Sequence, residues 1–170
     1  LINQKNNQYD LIYIFLSIIL FTFLIFNIAG NCFLGDSGIY IYGFLISYLA
    51  VDTYNNSAAL SSLFIVNLLW LPCFENLFSI IRRFLLNQND FTSPDKRHLH
   101  HLIHKYLIKK YNLGKILSNS LTGILINSYY LLSIMVAYQF MWNRSLNLLI
   151  LFFNILVYIF LYIKLINKIY

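Results

Sequence analysis

Four histidines, His98, His100, His101 and His104, fall within seven residues, and the 170-residue chain has no others. They belong to the run Ser93-Pro94-Asp95-Lys96-Arg97-His98-Leu99-His100-His101, a polar island in a chain that is otherwise mostly hydrocarbon. Such a density of imidazole suits two kinds of chemistry. On a helix His98 and His101 share a face, as do His100 and His104, and each pair offers nitrogen ligands that zinc favours and Mg²⁺ does not. Alternatively the rings donate hydrogen bonds to a diphosphate, backed by Lys96 and Arg97, where charge shifts between phosphates during a reaction. A plainer role is a solvated basic loop at a membrane surface that attracts anionic lipid.

Two carboxylates stand out in the same way. Asp36 sits in the turn Gly35-Asp36-Ser37-Gly38, where glycine lets the backbone approach a ligand. One or two carboxylates are enough for Mg²⁺, which fills its other positions with water and substrate phosphate. The competing role for Asp36 is a helix cap that needs no function. Glu75 follows Pro72 by three residues inside an apolar run. Charge there is costly unless it faces protein or water, which marks Glu75 as an intramembrane acid of structural or functional importance, or as one close enough to the end of its span to reach water. Cys32 and Cys73 lack CxxC spacing, so neither a metal pair nor a disulfide is expected.

The elements that carry these residues follow from composition. With 59% hydrophobic, 18% aromatic and 11% charged residues, the chain falls in the membrane class. We expect an all-α, polytopic helical membrane protein forming one domain over 1–170, with about five transmembrane helices near 11–29, 39–52, 58–81, 116–142 and 146–166. Residues 1–10 read as a loop. Residues 82–115 form a long polar loop holding eight of the twelve basic residues, which makes it cytoplasmic by the positive-inside bias. The net charge of +6 is thereby explained without nucleic acid. Counting back through the spans puts Gly35–Gly38 on the cytoplasmic face as well. The chain begins at Leu1 and shows no secretory pattern, so it reads as the later part of something longer.

Taken in order, Phe33-Leu34-Gly35-Asp36-Ser37-Gly38, Pro72 with Glu75, Arg82-Arg83 and the Ser93–His101 run resemble the C-terminal half of the polyprenyl-phosphate N-acetylhexosamine-1-phosphate transferases. Leu99 between the histidines makes the run more similar to the N-acetylglucosamine branch than to the peptidoglycan branch. The resemblance implies transfer of a sugar 1-phosphate from a UDP-N-acetylhexosamine to undecaprenyl or another polyprenyl phosphate, with release of UMP, as the first step of a cell-envelope glycan. It implies Mg²⁺, or Mn²⁺ in its place, at the cytoplasmic face of a multi-pass protein of the inner (plasma) membrane, in contact with membrane lipid; it leaves a homodimer open. On this analogy Asp36 matches the metal-associated carboxylate, and His98, His100 and His101 match the histidine motif near the diphosphate. Lys96, Arg97, Gly35 and Gly38 fall to substrate binding, and Arg82 with Arg83 to a basic pair that is mainly a topological anchor. Ile39 stands where the family commonly has Ser, and Glu75 where it commonly has Asp. The family's paired aspartates and Asn-x-x-Asp motif belong upstream of Leu1, so this segment is expected to be inactive alone. The alternative is a non-catalytic membrane protein whose histidine-rich loop binds anionic lipid or a transition metal.

Overall fold

The computed structural model describes residues 2–57, 59–85 and 97–169, and among these it has six helices and no strand. The chain divides into two units, Leu1–Tyr42 and Gly43–Tyr170.

The first unit holds α1 (Ile2–Ile28) and the start of α2 (Gly35–Asn56). Helix α1 begins at Ile2, so residues 2–10 are not the expected loop. Without Gly or Pro, each residue added to an existing helix gains a hydrogen bond without a new nucleation cost. Its end is set by Gly30, which takes φ +76°. The Asn31 N–H donates to the Phe26 carbonyl at 3.0 Å and the Gly30 N–H to Asn27 at 2.9 Å, the paired bonds of a Schellman cap. The Asn27 side chain adds a bond to the Cys32 carbonyl at 2.9 Å, holding the chain as it turns toward α2.

The second unit contains the rest of α2 and a bundle of α3 (Ser62–Leu85), α4 (Leu99–Tyr111), α5 (Lys115–Gln139) and α6 (Arg144–Ile169). Among the described residues three helices, α3, α5 and α6, are long and apolar enough to cross a membrane, and Tyr13–Ile28 is a shorter apolar stretch. Three of the about five expected spans are thus met among the described residues. In α2 four tyrosines, Asp36, Asp52 and the Asn55-Asn56 end dilute the apolar run. The expected loop 82–115 is also partly helical, because α3 runs on to Leu85 and α4 occupies Leu99–Tyr111. Outward side chains such as Met135 and Phe153 are both 64% exposed, an apolar surface suited to lipid rather than water.

Inside the bundle, aromatic rings four residues apart on α3 (Trp70, Phe74, Phe78) mesh with Tyr158 and Tyr162 of α6, edge to face at 4.8–5.5 Å for the closest pairs. Polar side chains join the helices where water is absent. Asn67 donates to the Asn147 carbonyl at 2.9 Å, and Asn154 donates to Ser133 at 2.6 Å while accepting from Tyr129 at 2.8 Å. The Asn143 side chain caps α6 by accepting the Leu146 N–H at 3.1 Å.

Pro72 lies inside α3 without ending it. Lacking an N–H, it leaves the Leu68 carbonyl, four residues back, without its helical donor. The Tyr130 hydroxyl of α5 supplies the missing bond. Removing that hydroxyl in Tyr130→Phe should cost about 1 kcal/mol of stability. The cost should shrink in a Pro72→Ala background, where the substituted alanine restores the backbone N–H; a double-mutant cycle of unfolding in detergent measures the difference.

Candidate functional site

Helix α4 starts at Leu99, and His98 before it is extended (φ −64°, ψ 153°) with no side-chain cap of its own. A helix start leaves backbone N–H groups without partners and carries partial positive charge. Here the acceptor comes from another helix. Glu75 of α3 takes the Leu99 N–H on Oε1 at 3.0 Å, and the same oxygen lies 3.2 Å from His100 Nδ1 and 3.6 Å from His98 Nδ1. Glu75 thus anchors the start of the histidine run.

Two imidazoles, His98 and His100, lie beside this carboxylate, and a third, His101, adjoins His100. The His98 and His100 rings stack at 5.4 Å with 12° between planes, and His100 and His101 lie 4.2 Å apart. Burial of Leu99 and Leu102 against Trp70, Leu71, Tyr158 and Tyr162 holds the first turn of α4 in place. The Ser118 hydroxyl of α5 donates to the His104 carbonyl at 3.0 Å, securing the next turn. Arg82, expected mainly as an anchor, also donates to the Tyr162 hydroxyl at 2.9 Å, and Arg83 is buried.

His98 precedes the helix, and its ring lies 6.3 Å from that of His101 with 48° between planes. Among the described residues no three of His, Cys, Asp and Glu converge to hold a metal ion. Imidazole and guanidinium N–H groups, here of the cluster and of Arg97 that precedes it in the chain, are donors of a kind that suits phosphate oxygens. His101 is held below its ordinary value of 6.5, chiefly by desolvation and then by His100, His98, Lys105 and His104. The unfolded chain therefore takes up this proton first as pH falls through 6.5, so the contribution to stability is full above that pH and declines below it. His101→Gln should flatten the loss of stability as pH falls below 6.5; thermal melts on either side of that pH provide the check.

Asp36, Gly35 and Gly38 belong to the first unit. Gly35 opens α2 at φ +66°, a conformation that favours glycine, and places the exposed Asp36 in the first turn rather than at the cap. A Cβ on Gly38 would meet Leu34 Cγ at 2.7 Å, so the glycine permits a close approach. The exposed oxygens of Asp36 fit a hard cation that completes its shell with water and phosphate, whereas the imidazoles do not. Lys96, with Ser93–Asp95, lies outside the described residues. Local pattern did not reveal the Glu75 cap, which spans 24 positions. One clue was available: no Ser, Thr, Asp or Asn stands at the position before Leu99.

No family model and no solved structure matches the chain. Two curated proteins do. A Bacillus subtilis (strain 168) protein named "Probable undecaprenyl-phosphate N-acetylglucosaminyl 1-phosphate transferase" is 38% identical over 81 residues, 46% of this chain and 22% of that protein. A Thermotoga maritima protein named "Undecaprenyl-phosphate alpha-N-acetylglucosaminyl 1-phosphate transferase" is 33% identical over 100 residues, 58% of this chain and 33% of that protein. The chain thus spans a third or less of the length of these relatives, and over about half of its own length it is similar to undecaprenyl-phosphate N-acetylglucosaminyl 1-phosphate transferases.

Proposed function

We propose that the chain supplies part of the site of an integral membrane transferase that moves N-acetylhexosamine 1-phosphate from a UDP-sugar to undecaprenyl or another polyprenyl phosphate, starting a cell-envelope glycan. The observation that carries this reading is the Glu75 anchor, which holds His98 and His100 at a helix start, with His101 beside His100 in the same cluster. In the reaction a lipid phosphate oxygen attacks the phosphorus that bears the sugar, the bridging P–O bond breaks, and UMP departs with the bond's electrons. His98, His100 and His101 hydrogen-bond the diphosphate oxygens on which charge accumulates, and Lys96 and Arg97 attract the anionic donor. Asp36, with Gly35 and Gly38 beside it at the start of α2, would hold Mg²⁺, which when bound neutralises phosphate charge. The site works at the cytoplasmic face of the plasma membrane.

Membranes bearing the intact protein, given UDP-N-acetylglucosamine and undecaprenyl phosphate with Mg²⁺, should release UMP and form lipid-linked sugar phosphate in equal amounts. Absence of both products, with the protein inserted and folded, would favour a non-catalytic loop that binds lipid or metal.

A further inference from the structure

A second feature of the bundle is lined by none of the residues assigned above to the transfer reaction. Helices α4, α5 and α6 enclose an open cleft of about 630 Å³, within the range of roughly 300–1,000 Å³ usual for small-ligand sites. On α4 its wall includes Ile103, Tyr106, Leu107 and Lys110; on α6 it includes Leu161, Lys164, Leu165 and Lys168. Both sets follow the same i, i+3, i+4, i+7 spacing, so each is one continuous helix face. Leu125, Ile126 and Tyr129 of α5 line it too. Along α4 the lining runs from Leu99 to Lys110, apolar at the start and basic at the end.

We propose that this cleft binds an anionic glycerophospholipid, one acyl chain lying along the apolar walls and the phosphate held by Lys110, Lys164 and Lys168. The charge pattern selects this occupant. The Lys110 ammonium rests 4.9 Å from the Tyr111 ring and 5.4 Å from Tyr106, Lys168 lies 5.5 Å from Tyr106, and Lys164 lies 5.6 Å from Phe160. Among the described residues no carboxylate pairs with these three cations. Lys109 reaches the Lys168 and Ile169 carbonyls at 3.4 and 3.5 Å, offsetting the negative end of α6 where it would otherwise repel a phosphate. Exposed lysines beside a membrane-spanning helix attract the anionic lipids of the cytoplasmic leaflet. The cleft adds what a surface patch lacks, a slot for the chain. Leu99 forms its inner end, so an occupant also braces the helix that carries the histidines.

Native mass spectrometry of the intact protein in a zwitterionic detergent tests this, with phosphatidylglycerol, phosphatidylcholine, undecaprenyl phosphate and inorganic phosphate as separate probes. Phosphatidylglycerol should be retained about 10-fold better than phosphatidylcholine. The triple variant Lys110→Gln/Lys164→Gln/Lys168→Gln should lose that preference, whereas Lys115→Gln should keep it. Leu125→Trp, which fills the slot and leaves the lysines intact, should also reduce retention. If the triple variant loses helicity, the three single variants replace it, each expected to lower retention. Equal retention of the two phospholipids, or unchanged retention in the lysine variants, overturns the proposal. So does displacement by inorganic phosphate alone, which would mark a headgroup-free anion site, or stronger retention of undecaprenyl phosphate, which would mark an isoprenoid site.

Discussion

Replacing Glu75 with alanine is expected to lower sugar-phosphate transfer by the intact protein about 100-fold and to loosen the start of α4. The magnitude follows from the role: removing side chains that orient a site's donors typically costs about 10- to 100-fold, and here one carboxylate orients two rings and a helix. The Leu99 N–H and His100 Nδ1 would lose their shared acceptor. A hydrogen bond to a charged group contributes about 1.5–3 kcal/mol, so a stability loss of that order should accompany the lost rate. Glu75→Gln keeps an oxygen for the Leu99 N–H and should retain most of the stability, but it removes the charge that faces His98 and His100 and should recover only part of the rate. Hydrogen exchange at the Leu99–Leu102 amides, read beside UMP release, separates these effects. Unchanged protection and unchanged transfer in Glu75→Ala would show that the contact has no functional weight.

Asp36→Asn should reduce transfer at least as much, about 100-fold or more, because a direct metal ligand costs no less than the groups that support one. The two roles available to Asp36 make opposite demands. As a first-turn acid it favours the helix dipole by only about 0.3–1 kcal/mol, so the substitution should leave the melting behaviour nearly intact. As a ligand for Mg²⁺ it should show a raised Mg²⁺ requirement, seen as a rightward shift in the metal dependence of UMP release. A variant with full transfer and an unshifted metal dependence would assign Asp36 to helix stability alone.

Much of this molecule was legible in its sequence because membrane helices declare themselves by length and composition. The helical class, the break after α1, the tight turn near Asn143 and the continuity of α3 all follow from local pattern. The three strongest spans are the three with few polar residues, while the tyrosine- and asparagine-rich α2 falls short. What escaped depends on contacts far apart in the chain. The histidines were found by composition, but that His98 lies outside the helix, and that its neighbours lean on Glu75, is decided by packing of Leu99 and Leu102. Pro72 was visible inside an apolar run; only the bundle reveals that Tyr130 bonds the carbonyl it leaves without a helical donor.

The most direct test couples the acid to the rings. UMP release would be measured for Glu75→Ala, His100→Ala and the double variant of the intact protein, with Glu75→Ala and His100→Ala checked for helicity. If Glu75 acts through the histidine cluster, the double variant should be little worse than the more damaged single one. Fully additive losses, or near-normal transfer in His100→Ala, would contradict the account.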